Sequence, residues 1–149
     1  MTLKEKCKKA LIDIRFINRI KEMLANHPHD VTMENYQVSV ALELLKNMGY
    51  PSKYHRGESF YKYVRNEGEY EVVIHLSLKY GVVDFMLYLA NTNTGDRCGG
   101  PFGSLYRQID VNLVIGKPGF NSYEELKEVL QTGLGIIEDL KTEITKQDI

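Results

Sequence analysis

Apolar residues recur at helical spacing from Thr2 to about Ala25. Leu3, Cys7, Leu11, Ile14, Ile17 and Leu24 share one stripe, while Lys4, Lys8, Arg15, Arg19 and Lys21 fall mostly on other faces. Thr2 followed by Glu5 fits a capping box, in which each side chain satisfies an orphan N–H at the helix start. His27-Pro28-His29-Asp30 breaks this helix. Thr32 then offers the N-cap of a second one, with Met33, Tyr36, Val40, Ala41, Leu44, Leu45 and Met48 as its stripe. Gly49 sits where a left-handed C-terminal residue is wanted, and Pro51 follows closely. Two helices joined by about six residues pack as a hairpin.

From Glu58 the period changes to two. Tyr70, Val72, Ile74, Leu76 and Leu78 alternate with Glu71, Val73, His75, Ser77 and Lys79, which predicts a half-buried strand. Val82 to Ala90 follows after a tight Tyr80-Gly81 turn. Pairing Lys79 with Val82 puts Leu78/Val83, Leu76/Phe85, Ile74/Leu87 and Val72/Leu89 on one face, all apolar. Ser77/Asp84, His75/Met86 and Val73/Tyr88 then share the other face, and a slip of one residue would invert both. The preceding strand, Phe60 to Arg65, joins through Asn66-Glu67-Gly68. A three-residue loop with Gly last suits a type I turn plus bulge. It sends Phe60 and Val64 to the core and leaves Tyr61, Tyr63 and Arg65 on the polar face. A two-residue turn would place Tyr61, Tyr63 and Arg65 inward instead.

Residues 91–103 form the one long irregular stretch, and Leu105 to about Ile115 reads as a fourth strand. Ser122 with Glu125 repeats the capping pattern. Leu126, Val129, Leu130, Gly133, Ile136, Ile137, Leu140 and Ile144 make a long last helix. Gly133 and Gly135 each lower helix propensity, so close backbone packing is expected at both. The order is helix, helix, four strands, helix: an α+β fold with a four-stranded antiparallel meander and a long C-terminal helix packed on it. Residues 1–149 show no repeat or linker and read as a single α+β domain.

Composition narrows the class. The 149 residues are 43% hydrophobic and 26% charged, without Trp, as in an ordinary globular chain. No apolar run approaches a membrane span, and the N-terminus lacks a signal-peptide core. Cys7 and Cys98 are too few for a disulfide framework, and free thiols suit a reducing cytoplasm. Residues 1–66 carry a net charge of +5 and residues 67–149 one of −6. The isoelectric point near 6.4 and the absence of a long basic stripe argue against nucleic acid as a partner.

Four groups of residues are candidates for chemistry. Cys98 as nucleophile, with His75 as base and Asp84 to orient it, would make a small hydrolase. His27-Pro28-His29-Asp30, with His55 as a third ligand, has metal-like spacing but reads better as a helix-ending loop. The glycines of 95–103 do not fit a phosphate loop, since that segment leads into a strand; Asp96, Arg97 and Phe102 remain binding candidates there. The fourth group is the polar sheet face, with Tyr61, Tyr63, Arg65, Val73, His75, Lys79, Met86 and Tyr88, joined by Tyr106 from the fourth strand. Tyr, Met and Arg are enriched where proteins meet proteins. No pattern calls for a cofactor or a metal.

The size, the helices–meander–helix layout and the segment Cys98-Gly99-Gly100-Pro101-Phe102-Gly103-Ser104-Leu105-Tyr106-Arg107 resemble the small cytoplasmic immunity proteins that neutralise bacterial polymorphic toxins. That resemblance implies a non-catalytic, cytoplasmic, toxin-binding protein. Many such proteins are strongly acidic, and this chain is nearly neutral, which speaks against mimicry of nucleic acid. The function expected is a protein-binding module of the immunity or antitoxin kind. The alternatives are the small hydrolase and a type III-like secretion chaperone. The chaperone would dimerise through the last helix, whose Leu126, Leu130, Gly133, Ile137, Leu140 and Ile144 keep a 3–4 spacing.

Overall fold

The capping box forms as the sequence requires. The Thr2 hydroxyl accepts from the Glu5 N–H at 3.1 Å and the Glu5 carboxylate accepts from the Thr2 N–H at 3.3 Å, opening helix α1 (Leu3–Asp13). The helix does not continue to Ala25. In the computed structural model, which describes residues 1–30 and 32–146, Arg15 takes a left-handed conformation (φ 59°) and a separate helix, α2 (Phe16–Asn26), starts after it. The break lets Leu11 and Phe16, five residues apart, both reach the core. Neither Gly nor Pro marks it.

Thr32 caps nothing. The Met33 N–H donates to the Phe120 carbonyl at 2.8 Å, tying this segment to the stretch before the last helix, and α3 (Val38–Asn47) starts later, after Gln37. Its end is as read: Gly49 has φ 92° and the Tyr50 N–H returns to the Leu45 carbonyl.

The sheet has five strands rather than four, in the order β1 (Lys53–His55), β2 (Phe60–Glu67), β3 (Tyr70–Ser77), β4 (Asp84–Asn91) and β5 (Arg97–Pro101), all antiparallel neighbours. Between β3 and β4 the pairs Ser77↔Asp84, His75↔Met86, Ile74↔Leu87 and Val72↔Leu89 are those the face-sorting predicts. The ladder stops there. A 3-10 turn at Lys79–Gly81 replaces the tight turn, and the Val83 N–H goes to the Pro118 carbonyl, so Leu78 and Val83 are buried without pairing.

The β2–β3 register is the one set aside on sequence grounds. Gly68 (φ 57°) and Glu69 form a two-residue turn, Glu67 pairs with Tyr70, and Tyr61, Tyr63 and Arg65 face Leu76, Ile74 and Val72. These three side chains therefore point toward the helices, and Val64 is 47% exposed on the other face. Polar tips tolerate that side because helix residues meet them there, as described below.

Residues 105–115 are not a strand. Inside the stretch read as irregular, Arg97–Pro101 pairs with β4, and the chain then enters a short helix α4 (Phe102–Arg107). Gly99 (φ 118°) lets β5 lie close to β4, since a Cβ there would strike the Leu87 carbonyl.

The last helix, α5 (Tyr123–Thr145), is capped by Ser122. Its whole apolar seam, Leu126 to Ile144, is buried within this chain, which leaves no free seam for a second helix. At Gly133 a Cβ would lie within 2.5 Å of three carbons of the Phe85 ring, as the close-packing reading requires. Gly135 departs from that reading, with nothing within 4 Å of its Cβ position. The helices cover one face of the sheet, where Val72, Ile74, Leu76, Phe85, Leu87 and Leu89 are buried. No helix of the described residues is long and apolar enough to cross a membrane.

Candidate functional site

Side chains of the opposite parity point away from the helices. Among the described residues no element packs over them, and Val64 and Tyr88 (37%) remain exposed at the centre of the sheet. Four rings cross this face from strand to strand. His55 on β1 stacks on Phe60 of β2 (centroids 4.6 Å, 7° between planes). Phe60 meets His75 of β3 at 4.6 Å, and His75 meets Tyr88 of β4 edge-on at 5.3 Å. The row follows from register. Phe60 and His75 are a diagonal pair once β2 closes through Gly68, and His75 and Tyr88 are diagonal across β3–β4.

The Nε2 atoms of both His55 and His75 are buried and have no hydrogen-bond partner. Burial pushes the His75 imidazole below its ordinary value near 6.5, and the Lys62 and His55 charges push it the same way. Beside the row, Lys62, Val73, His75, Tyr88 and Arg97 line a shallow depression of about 320 Å³. Basic Lys53, Lys62 and Arg97 and acidic Glu71 and Asp84 share the face, so it carries no single sign of charge.

Of the residues expected to bind a partner, His75, Met86, Tyr88 and Arg97 lie on this face. The others do not. Tyr61 is 1% exposed and its hydroxyl donates to the Tyr36 hydroxyl at 3.1 Å. Tyr63 meets the Tyr50 ring at 5.1 Å. Arg65 donates to both Glu138 carboxylate oxygens (2.9 and 3.2 Å), which also receive the Tyr50 hydroxyl and Lys141. Burial alone would raise the Glu138 carboxyl, but hydrogen bonds from Arg65, Tyr50 and Lys141 hold it below the usual carboxylate range. Asp96 accepts from the Leu3 N–H at 2.8 Å and so ties the start of α1 to the sheet. Phe102 is core, stacked on Phe85 and edge-on to Phe16. Tyr106 is buried in α4, its hydroxyl donating to the Ile115 carbonyl and accepting from the Ile115 N–H.

His55, Phe60 and Lys62 are the members that the sequence reading missed. The signal for Phe60 and Lys62 was Gly68 itself, as the first residue of a two-residue turn.

Of the hydrolase residues, Cys98 and His75 both line the depression beside the ring row, but they lie on opposite sides of the sheet. Cys98 pairs opposite Leu89 and contacts Cys7 on the helix-covered side, whereas His75 is on the open face. Asp84 is ion-paired with Lys117 at 3.3 Å. The metal-like run is also divided: His27 Nδ1 meets Glu125 at 3.1 Å and His29 Nδ1 donates to the Lys117 carbonyl at 3.0 Å. Among the described residues no three His, Cys, Asp or Glu side chains are grouped as metal ligands would be. No protein-family model, curated protein or solved structure matches the chain significantly.

Proposed function

We propose that this protein is a non-catalytic binding module of the immunity type, and that its toxin-like protein partner docks on the open face of the sheet. The ring row from His55 to Tyr88 carries the reading. Large apolar and aromatic side chains on an uncovered, rigid sheet are a feature of interaction surfaces, because ordering them on binding costs little entropy. The mixed charge of the face suits a protein partner better than a polyanion. The immunity role rests on the resemblance in size and layout, and on the docking area that the open face offers.

The test begins with the protein encoded immediately upstream of this chain's gene. Its toxic domain is purified and titrated against the folded chain by calorimetry. Wild type binds tightly and restores growth of cells expressing that domain. Phe60→Ala and Tyr88→Ala each weaken binding by about 2 kcal/mol, roughly thirtyfold in Kd, because central aromatic residues dominate such interfaces. The thermal midpoint of Tyr88→Ala stays near wild type. Wild-type affinity in both variants, or no protection of cells, refutes the proposal.

A further inference from the structure

Cys7 and Cys98 are 91 positions apart in sequence and line one cavity. One contact sets their alignment. The Asp96 carboxylate holds the Leu3 N–H at 2.8 Å, which fixes the first turn of α1 beside the start of β5. From Leu3 to Cys7 is one helical turn, a rise of about 6 Å. From Asp96 to Cys98 is two strand residues, about 6.6 Å on the same side of the strand. The two steps match, so the side chain one turn into α1 arrives against the side chain two residues along. Both are free thiols. A cavity of about 290 Å³, lined by Lys4, Cys7, Cys98, Gly99 and Gln108, opens on both. Cys7 is 1% exposed and Cys98 half-buried, so this cavity is the route by which a small molecule would approach the pair.

We propose that Cys7 and Cys98 form a peroxide-oxidised dithiol site, closing a reversible disulfide that fastens the edge strand β5 to α1. The hydrogen bond from Cys98 lowers the Cys7 pKa against the opposing effect of burial, which makes Cys7 the attacking sulfur. Its thiolate attacks one oxygen of hydrogen peroxide. The O–O bond breaks, hydroxide leaves and takes up the proton that Cys7 released, and Cys7 becomes a sulfenic acid. The Cys98 sulfur then attacks the Cys7 sulfur. The S–O bond breaks, and the hydroxyl leaves as a second water with the Cys98 proton. The two sulfurs together lose two electrons and the peroxide gains two. Thiol reductants reverse the step by exchange.

The experiment treats the folded, reduced protein with hydrogen peroxide at neutral pH. It then measures intact mass, free thiols after denaturation, and the thermal midpoint. The expected product is monomeric, lighter by about 2 Da, without free thiols, and restored by dithiothreitol. A loop this long is strongly restrained in the unfolded chain, so the midpoint rises by about 5–10 °C. Digestion joins the peptide of Cys7 to that of Cys98. Cys98→Ala, at the half-buried position, folds and gains one oxygen at Cys7 with no loss of 2 Da. Cys7→Ala, at the buried position, serves as the second variant. Oxygen addition without cross-linking in wild type, or linkage only between two molecules, overturns the proposal.

Discussion

Gly133 and Gly135 lie two residues apart on α5, and their alanine variants should shift stability in opposite directions. At Gly133 a new Cβ falls within 2.5 Å of three carbons of the Phe85 ring. Phe85 has nowhere to turn: it stacks on Phe102 at 5.1 Å, Phe102 is held edge-on by Phe16 at 5.0 Å, and all three are buried. Overpacking a core commonly costs about 1–3 kcal/mol, and this site belongs at the upper end. The helix-propensity gain of alanine over glycine returns about 1 kcal/mol. The net expectation for Gly133→Ala is a loss of about 2 kcal/mol, or roughly 4–8 °C in Tm for a chain of this size. Gly135 has open space around its Cβ position, so Gly135→Ala keeps only the propensity gain of about 0.5–1 kcal/mol. Urea unfolding followed by circular dichroism measures both. Adding Phe85→Leu to Gly133→Ala should recover at least about 1 kcal/mol relative to the sum of the single changes. An unchanged or raised midpoint for Gly133→Ala, or additivity in the cycle, would refute the packing described for α5 against β4.

Two further outcomes follow from polar groups. Arg65→Ala should destabilise by about 1–3 kcal/mol in urea unfolding, because it leaves the Glu138 carboxylate partly buried with fewer donors; a change below about 0.5 kcal/mol would mean that Arg65 belongs to the open face. His75 is depressed in the folded state by burial and by Lys62 and His55, with Glu58 opposing, so the folded protein binds its proton less readily than the unfolded chain. The resulting stability is fully present above pH 6.5 and is lost as pH falls from there through the folded value; the midpoint-against-pH curve of His75→Gln should be flatter than wild type over that window, and parallel curves would count against the reasoning.

The β3–β4 pairing was legible because its two faces differ. Val72, Ile74 and Leu76 meet Leu89, Leu87 and Phe85, and a one-residue slip exposes all six. On β2 the faces are nearly balanced, with Phe60, Lys62 and Val64 against Tyr61, Tyr63 and Arg65. Ranking side chains by polarity then selects the wrong face, because it ignores partners supplied from 25 and 73 residues away: Tyr36 for Tyr61, and Glu138 for Arg65. The break at Arg15 and the strand at 97–101 were hidden for a related reason. A non-glycine left-handed residue and a Gly-Gly strand both run against local propensity, and tertiary packing on Phe102 and Leu87 maintains them. The same error moved the expected docking face. It kept the β3–β4 residues and exchanged Tyr61, Tyr63 and Arg65 for His55, Phe60 and Lys62.

The distribution of partners across the sheet gives that exchange a physical meaning. On the covered side, Tyr61, Tyr50 and Arg65 each find a hydrogen-bond partner within the chain, and the one Arg65 nitrogen without a hydrogen bond, Nε, lies 3.5 Å from the Glu67 carboxylate. On the open side, the rings of His55 and His75 are packed firmly by Phe60 while their Nε2 atoms have no partner. An unpaired buried nitrogen costs about 1–3 kcal/mol, more than an exposed one would. A protein seated on this face that turns either imidazole outward and presents a carboxylate or hydroxyl to its Nε2 would remove that cost on binding. It would do so most where His75 is protonated, so affinity for the proposed toxin domain should rise as pH falls from 7.5 to 6 in wild type. His75→Gln should abolish the rise while leaving the area buried by Phe60 and Tyr88 in place. An affinity that falls with acidification in wild type would place the neutral imidazole, not the imidazolium, at the interface.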